Sequence, residues 1–388
     1  MTGETSPCHL KKGIGFLSEN QKEKFVIIDG NSLIHRAFYA LPSTMKTGRG
    51  EHTNAVFGFL RMLLKLLDEE RPEYLAVAVD PPGPSFRQQI YADYKGHRQK
   101  TPPELGEQMM RAREILEAMH IPIFEVEGFE ADDVIGTLAT QARAEKLEAI
   151  IVSGDADLLQ LVDDTVTVLL TRRGITEVDR CNRLYLQERF GLTPEQWVDF
   201  KALKGDPSDN IPGIPGVGDK TARRLLTDFG SIDGILAALP QLKGKLRQNL
   251  EENRELLITG RDLNTIRRDL SLSFSRDSCR RTEPDYEKLL TLFEELEFKS
   301  FADKVAGLSP GAKAEPVEPP LRGKPVTSLA QLSDLLDGLE QGVTMALLAE
   351  TAPGRPYWRY PPELLAFAFD EERCYYLEPA GFKQPAEI

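Results

Sequence analysis

The stretch "AIIVSGDADLLQL", residues 149–161, runs from an apolar segment directly into two aspartates, Asp155 and Asp157. Short apolar segments without polar alternation are typical of strands buried on both faces of a parallel sheet. Ligands of open α/β sheets bind beyond the carboxyl ends of the strands, so acids placed there predict a site at that edge. Two other segments have the same form and also end in acid, "FVIID" (25–29) and "YLAVAVD" (74–80).

Amphipathic helical patterns separate the apolar segments, and a further segment, "VTVLL" (166–170), predicts a fourth strand. Alternating strands and helices indicate an α/β fold with a mostly parallel central sheet flanked by helices on both faces. The clearest helical patterns are "VFGFLRMLLKLLDEE" (56–70) and "DVIGTLATQARAEKL" (133–147).

The composition is that of a globular protein. With 388 residues, 41% of them hydrophobic, the chain has material for roughly two to three domains with real cores. No apolar run approaches the ~18 residues of a membrane helix, and the four cysteines form no C-x-x-C pair. We therefore expect a cytoplasmic protein in a reducing compartment. The net charge of −13 argues only weakly against an anionic partner, because acids gathered around cations leave the remaining surface locally basic.

Changes in composition divide the chain into five segments. Residues 1–24 lack the apolar middle of a signal peptide and are expected to be a disordered lead-in. The other segments are an α/β domain (25–190), a helical subdomain (191–305), a Pro/Gly/Ala-rich linker (306–325) and a tail with few predicted elements (326–388).

Acids recur beyond the strand ends, since "GFEADDVIG" adds three at the start of a helix and "KGDPSDN" adds two in a loop. Unit charges ~4 Å apart repel by about 1 kcal/mol in water and roughly 4 kcal/mol at an effective dielectric of 20, a heavy cost for a marginally stable fold. Divalent cations remove that cost, and oxygen ligands suit Mg²⁺ or Mn²⁺. Two such cations at a carboxylate site are suited to phosphoryl transfer. The nine candidate ligands are Asp29, Asp80, Glu130, Asp132, Asp133, Asp155, Asp157, Asp206 and Asp209.

Each acid taken alone has a plainer interpretation. Asp132 and Asp133 could be first-turn acids of a helix, and Asp157 could be an N-cap. Asp29 before a glycine could belong to a turn, and the acids of "KGDPSDN" could be surface charges. These interpretations do not explain acid at the same end of three strands, which favours the metal site.

The segment "IPGIPGVGDKTARRLL" (211–226) predicts two helices joined by a tight glycine turn, with Gly216 and Gly218 in the turn and Lys220 on the second helix. In a helix-hairpin-helix of this form, backbone N–H groups and a helix N-terminus face a phosphate. Such a unit binds the nucleic-acid backbone without reading bases. The alternative is a glycine-rich turn with solvated basic residues. The sequence contains no P-loop motif.

Between the second and third strands, "SFRQQIYADYKGHRQK" (85–100) interleaves basic residues with aromatic ones such as Tyr94. That pattern suits single-stranded nucleic acid, although a mobile charged loop would have the same composition. Arg36, just after the first strand, could meet a phosphate near the cations or merely solvate a helix. His35 and His97 have no partner that suggests a catalytic triad, and we interpret both as ordinary.

These residues together resemble the flap endonuclease family, in the form of the 5′ nuclease domain of bacterial DNA polymerase I. The resemblance covers about residues 25–305 and implies a PIN/flap-endonuclease-like fold. It implies a two-metal phosphodiesterase that cuts 5′ flaps and degrades 5′ ends of DNA or RNA–DNA in primer removal and repair. The implied partners are DNA, a DNA polymerase and a ligase, and we expect a monomer without membrane contact. The matching motifs include "DGNSLIHRAFYALP", "AVDPPGPSFR", "YKGHR", "GFEADDVIGTLA", "SGDADLLQL", "LKGDPSDNIPGIPGVGDKTA" and "LNTIRRDLSL".

The resemblance also implies roles for single residues. All nine acids match metal ligands, in one cluster of Asp29, Asp80, Glu130, Asp132 and Asp133 and another of Asp155, Asp157, Asp206 and Asp209. Phosphate-contacting positions are matched by Arg36, Arg87, Lys95 and Arg98. Of these, Lys95 and Arg98 belong to a helical arch at about 84–113 that a 5′ single strand threads, and they count with the acids as catalytic. The helix-hairpin-helix, which can hold K⁺ in the family, is matched by Gly213, Gly216 and Gly218, with Lys220 beside them.

The tail resembles the opening of an RNase H-like 3′–5′ exonuclease domain. Active members carry D-x-E after an apolar strand, whereas "MALLAET" (345–351) keeps Glu350 but has Leu348 in place of the aspartate. We therefore expect no proofreading. Because the sequence stops before that domain is complete and no polymerase region follows in it, we also expect no nucleotide incorporation by this chain. We also expect a poorly packed tail, with early proteolytic loss of 310–388 that leaves cleavage intact.

Two other functions compete with nuclease activity. A metal-dependent phosphatase of small substrates would carry D-x-D-x-T after the first strand, but "DGNSL" (29–33) lacks the second aspartate. A non-catalytic module that binds branched DNA requires a degraded metal site, and none of the nine acids is missing.

Overall fold

The protein is described by a computed structural model that covers residues 23–98, 100–172, 177–306, 324–337, 346–350, 364–368 and 374–377. The chain forms two compact units, Met1–Ser309 and Pro310–Ile388. The predicted lead-in at 1–24 and linker at 306–325 fall almost wholly outside the described residues. Among the helices within these ranges, none is long and apolar enough to cross a bilayer.

A sheet of six strands lies at the centre of the first unit. The strands are β1 (Lys24–Asp29), β2 (Tyr74–Ala78), β3 (Ile123–Phe124), β4 (Glu148–Ser153), β5 (Val166–Thr171) and β6 (Val178–Cys181). Their order across the sheet is β3-β2-β1-β4-β5-β6. The first five strands are parallel, and β6 pairs antiparallel with β5. The predicted α/β class with a mostly parallel sheet is therefore confirmed.

Thirteen helices belong to the first unit within the described residues. They are α1 (Gly30–Ala40), α2 (Asn54–Glu70), α3 (Phe86–Ile90), α4 (Pro103–Ala118), α5 (Ala131–Ala144), α6 (Arg183–Phe190), α7 (Trp197–Lys204), α8 (Asp219–Phe229), α9 (Ile232–Ala237), α10 (Gly244–Glu252), α11 (Arg254–Asn264), α12 (Tyr286–Glu295) and α13 (Lys299–Ala306). A 3₁₀ turn, Ala156–Leu161, follows β4.

Helices on both faces of the sheet explain why the strands lack polar alternation. Side chains of β1 enter two separate apolar cores in turn: Phe25 and Ile27 belong to one, and Val26 and Ile28 to the other. Helix α5 covers the first face, and α1 and α2 cover the second. A strand buried on both sides must be apolar at every position, which is the pattern seen in the sequence.

The four predicted strands are present, and the acids follow their ends. Asp29 is the last residue of β1, whereas Asp80 and Asp155 lie two residues beyond β2 and β4. The sequence analysis did not find β3 and β6. Strand β3 has only two residues, and β6 is a polar edge strand whose side chains are mostly exposed.

The excursion predicted at about 84–113 consists of α3, a series of turns and the first part of α4. Helix α4 packs against α2 and buries Leu105 and Ala112, so this part belongs to the core. A backbone hydrogen bond holds the turns at 91–98: Lys95 donates its N–H to the carbonyl of Asp209 at 2.9 Å. This segment therefore lies against the loop that carries Asp206 and Asp209.

The second unit contains a four-stranded sheet and one helix in its described parts. Its elements are β7 (Lys324–Pro325), α14 (Leu329–Asp337), β8 (Ala346–Glu350), β9 (Leu364–Ala368) and β10 (Cys374–Leu377), with the strand order β7-β10-β9-β8. Val326 and Leu377 are buried together in a small apolar cluster.

Candidate metal centre

A cleft of about 290 Å³ opens beyond the carboxyl edge of the sheet. Carboxylates from three strand ends and from the start of α5 line this cleft. Adjacent parallel strands end side by side, so residues far apart in sequence arrive at one edge. The predicted acids that line it are Asp29, Asp80, Glu130, Asp132 and Asp155.

Asp29 lies at the base of the cleft, where β1 passes into α1. One of its oxygens caps α1 by accepting from the Ser32 N–H at 3.0 Å, and the other accepts from the Ser153 hydroxyl at 2.6 Å. Burial, which outweighs these hydrogen bonds, raises the pKa of Asp29 to about 7, with further contributions from Asp80 and Asp155. The carboxylate is thus oriented by three elements but lacks a compensating cation.

Asp80 and Asp132 complete this side of the cleft. The Asp80 carboxylate accepts from the Ala131 N–H at 2.7 Å and from the Asn31 amide at 3.0 Å, which ties the end of β2 to the start of α5. Burial raises the pKa of Asp132 well above its usual value, with Asp155 and Asp29 adding to the effect. The side chain of His35 also lines the cleft, although the sequence analysis interprets this residue as ordinary.

A second group of acids comes from the turn after β4 and the loop after α7. Asp157, Asp206 and Asp209 each offer a carboxylate oxygen, and these oxygens lie within 4.8 Å of one another. Burial raises the pKa of Asp157 to about 7, and the charge of Asp155 adds to it. The spacing of these three oxygens suits one cation between them.

Tyr94 and Lys95 join the two groups. The Tyr94 hydroxyl lies 2.9 Å from Asp209 Oδ2 and 3.1 Å from Glu130 Oε2, and the Lys95 ammonium lies 2.8 Å from the same Glu130 oxygen. Tyr94 belongs to the segment whose basic and aromatic residues suit single-stranded nucleic acid, but it is only 2% exposed and so presents no ring to a base at the surface. Its ring is buried, and its hydroxyl contacts Asp209 and Glu130.

Asp133 does not line the cleft, contrary to its assignment to the first cluster. It lies at N3 of α5, one residue around the helix from Asp132, and its side chain is wholly buried. Its two oxygens accept from the Arg87 guanidinium at 2.7 and 2.8 Å and also from the backbone of Glu130 and Arg267. Asp155 lines the cleft in its place, although the resemblance assigned Asp155 to the other cluster.

Arg87 is likewise withdrawn from the surface. Its side chain is 3% exposed, and beyond Asp133 it donates to the carbonyls of Leu263 and Thr265 at 2.8 and 3.0 Å. The four hydrogen bonds of the guanidinium thus all go to partners inside the protein. This placement disagrees with the expected phosphate contact, and it makes Arg87 a link between α3, α5 and the end of α11.

Of the other predicted contact residues, Arg98 lines the cleft. Arg98, whose side chain is half exposed, reaches Asp209 at 2.5 Å, and Arg36 donates to the carbonyl of Arg172 at 2.8 Å. Gly216 and Gly218 are exposed in the turn before α8, where Gly216 has a φ of +77°, and Lys220 is exposed in the first turn of α8. Gly213 differs, because its Cα faces the backbone of Lys204 and Gly205.

Sequence reasoning missed one further residue, Lys201. This residue lies on the last turn of α7, and its ammonium lies 2.5 Å from Asp157 Oδ1 and also contacts Asp206. A basic residue in the last turn of a helix is usually explained by the helix dipole, so the sequence gives no distinctive signal here.

The residues present fit divalent cations. Both acid groups offer carboxylate oxygens, the donors that Mg²⁺ and Mn²⁺ prefer. Burial raises the pKa of Asp29 and of Asp157 to about 7, and it does so for Asp157 even with Lys201 beside it. Divalent cations at these positions would favour the charged carboxylates.

Comparison with known proteins identifies the family. Residues 24–191 match the 5′–3′ exonuclease, N-terminal resolvase-like domain, and residues 192–287 match the 5′–3′ exonuclease, C-terminal SAM fold. DNA polymerase I of Bacillus caldotenax is 47% identical over 295 residues, which are 76% of this chain and 33% of that protein. DNA polymerase I of Bacillus subtilis strain 168 is 38% identical over 369 residues, 95% of this chain and 41% of that protein. The chain thus spans well under half the length of these relatives.

Solved structures show the same fold. The bacteriophage T5 flap endonuclease, in a complex with DNA and metal ions, has a TM-score of 0.53 at 22% identity and covers 73% of this chain and 98% of its own. The catalytic core of Rad2 with a DNA substrate has a TM-score of 0.50 at 14% identity, covering 73% of this chain and 91% of its own. The family resemblance and the flap-endonuclease-like fold are both confirmed. Because the two exonuclease matches together run from residue 24 to residue 287, the chain belongs to the 5′–3′ exonuclease family, in the form found in bacterial DNA polymerase I.

Proposed function

We propose that this chain hydrolyses phosphodiester bonds at 5′ flaps and 5′ ends of duplex DNA, and of RNA primers on DNA, using two Mg²⁺ or Mn²⁺ ions. The observation that carries the proposal is the convergence of eight carboxylates beyond one sheet edge, with Tyr94 and Lys95 joining the two groups. Such a concentration of negative charge is unfavourable in a protein that binds nothing there.

In this proposal the acids divide into two sets of ligands. The cleft set is Asp29, Asp80, Glu130, Asp132 and Asp155, and the second set is Asp157, Asp206 and Asp209. Divalent cations held there would stabilise negative charge on the phosphate and favour deprotonation of an attacking water. Ser153, Asn31 and Ser32 hold the carboxylates of Asp29 and Asp80 in place, so the site is oriented before cations bind.

Basic residues at the cleft mouth would position the substrate. Lys95 lies beside Glu130, and Arg98 lies beside Asp209. When cations bind these carboxylates, both basic side chains would be free to donate hydrogen bonds to a phosphate. Arg36 lies close to Gly154, which follows β4, so it could contact the same strand of DNA. The exposed turn with Gly216, Gly218 and Lys220 would hold the duplex backbone, with K⁺ as an additional ligand.

The cellular setting is part of the same proposal. A nuclease of this kind would act in the cytoplasm at the nucleoid, as a monomer beside a DNA polymerase and a ligase. Leu348 in β8 stands where an active 3′–5′ exonuclease carries aspartate, which supports an absence of proofreading by the tail.

Cleavage of a labelled 5′-flap duplex tests the proposal. With Mg²⁺ the chain should cut near the flap junction, and EDTA should abolish the product. Asp155→Asn should lower the cleavage rate by orders of magnitude, whereas Asp164→Asn, a control at an acid whose side chain is 91% exposed, should cleave at the wild-type rate. DNA binding without Mg²⁺-dependent cutting would instead support a non-catalytic DNA-binding module. Hydrolysis of an aryl phosphate without DNA cleavage would support a phosphatase.

A further inference from the structure

The Lys201 ammonium lies where a cation of the second acid group would be expected. It lies 2.5 Å from Asp157 Oδ1 and also contacts Asp206 Oδ2, and both acids belong to the group whose oxygens converge within 4.8 Å. The third member, Asp209, is paired with Arg98 at 2.5 Å. Each carboxylate of the group therefore contacts a side-chain cation of the protein itself, and Asp157 and Asp206 share one.

The fold holds Lys201 in this position. Helix α7 packs against the 3₁₀ turn that carries Asp157, so the last turn of α7 faces that acid. After α7 the chain reverses at Gly205, with a φ of +79°, and this reversal returns Asp206 to the lysine. Two hydrogen bonds of 2.8 Å between the backbones of Asp206 and Ile211 then close the loop.

The Lys201 ammonium is enclosed by two carboxylates, those of Asp157 and Asp206. Its side chain is only 13% exposed, so water screens the charge poorly.

We propose that Lys201 occupies the second cation position in the metal-free protein and sets how tightly a divalent cation binds to Asp157, Asp206 and Asp209. The inference rests on the proposed function, because it assumes that these three acids are metal ligands. A divalent cation entering the group must displace the ammonium from the oxygens it contacts or share them with it. Lys201 is thus a positioning residue that stabilises the empty site and opposes its filling.

A purely structural ion pair would behave differently. Its removal would destabilise the protein and leave the cation affinity unchanged or weaker, because the acids would lose their orientation. Removal of a competing cation must instead tighten binding. The sign of the change in cation affinity therefore separates the two roles.

Mn²⁺ binding to the full-length protein, followed by electron paramagnetic resonance and calorimetry without DNA, tests the proposal. Lys201→Met should bind one Mn²⁺ about tenfold more tightly or better, since couplings between close charges reach at least that size. Lys201→Arg keeps the charge and should bind near the wild-type affinity. Lys204→Met, on the same helix turn but paired with Asp219, should match the wild type. Equal or weaker Mn²⁺ binding by Lys201→Met would overturn the proposal.

A second variant, Lys201→Gln, tests the proposal if Lys201→Met does not fold. Lys201→Gln keeps much of the side-chain length and a donor for Asp206, and it should also bind Mn²⁺ more tightly than the wild type. For a variant that unfolds without metal, the Mn²⁺ concentration that restores the helical circular dichroism signal is divided by one plus the unfolding equilibrium constant, because binding must then also drive folding. The dissociation constant corrected in this way should lie below the wild-type value, and a higher value would count against the proposal.

The flap assay separates failure of this inference from failure of the proposed function. If the wild type cuts flaps and Lys201→Met has an unchanged Mn²⁺ affinity, only the role proposed for Lys201 is contradicted. If the wild type binds Mn²⁺ but cuts no DNA, and Lys201→Met binds Mn²⁺ more tightly, only the proposed nuclease activity is contradicted.

Discussion

Arg87 holds both carboxylate oxygens of Asp133, at 2.7 and 2.8 Å, in a pair whose side chains are 3% and 0% exposed. Helix α3 supplies the arginine and α5 the acid, and the same guanidinium reaches two carbonyls at the end of α11. The pair therefore joins three elements beneath the candidate metal centre.

Loss of Arg87 should destabilise the protein. Arg87→Ala leaves Asp133 charged in the interior without its partner, and breaking a buried pair in this way costs about 3–5 kcal/mol. Urea denaturation should show that loss in the free energy of unfolding. Arg87→Ala combined with Asp133→Ala should cost less than the sum of the single changes, because no charge is then left unpaired. A cost of Arg87→Ala below about 1 kcal/mol, the range of exposed pairs, would contradict the structure.

The stability of the metal-free protein should fall with rising pH through the titration of Asp29. Its pKa is about 7 in the folded protein against an ordinary value of 3.8 for an aspartate side chain, so the folded state binds the proton more tightly than the unfolded state. The resulting stabilisation is full below about pH 4 and is lost as the pH rises toward 7. In EDTA, Asp29→Asn should match the wild type near pH 4 and exceed it in unfolding free energy at pH 8. Urea titrations at both values measure this difference, and Mg²⁺ should stabilise the wild type more than the variant. A wild type that is the more stable of the two at pH 8 in EDTA would argue against an uncompensated Asp29.

Tyr94→Phe should weaken the fold and spare DNA binding. The change removes the hydroxyl that contacts Asp209 and Glu130, and loss of a buried hydrogen-bond donor costs about 1–3 kcal/mol. Because the ring is buried, DNA affinity measured in Ca²⁺ should stay close to that of the wild type. Tyr39→Ala, at a ring that is 73% exposed, serves as a control that should not change the unfolding free energy. A large loss of DNA affinity in Tyr94→Phe with unchanged stability would instead indicate a stacking role.

Substitution by alanine should cost much more stability at Gly213 than at Gly218, two glycines of the helix-hairpin-helix. A Cβ at Gly213 would lie 2.2 Å from the Lys204 carbonyl carbon and 2.4 Å from the Gly205 nitrogen, so Gly213→Ala should cost about 1–3 kcal/mol or more. A Cβ at Gly218 meets nothing within 4 Å, and Gly218→Ala should cost less than about 1 kcal/mol. Thermal unfolding separates the two variants. Equal stability would mean that residues 205 and 213 do not approach as closely as the structure has them.

The sequence by itself determined four strands of the sheet and the set of acidic residues available as metal ligands. Apolar runs predicted β1, β2, β4 and β5, because a strand covered on both faces tolerates few polar side chains. The runs of β1, β2 and β4 also end in acid. It could not find β3 or β6, which are too short or too polar to show a pattern.

Only the tertiary structure decided which acids face one another. Asp132 and Asp133 are neighbours with the same chemistry, yet the helical rotation between them directs one to the cleft and the other to Arg87 in the core. Tyr94 belongs to the site because it contacts Asp209, which is distant in sequence. Lys201 belongs to it because it contacts Asp157, also distant in sequence, and Asp206, which lies across a chain reversal. Residue type and spacing along the chain encode local periodicity, whereas the direction of a side chain and its partners depend on packing between elements.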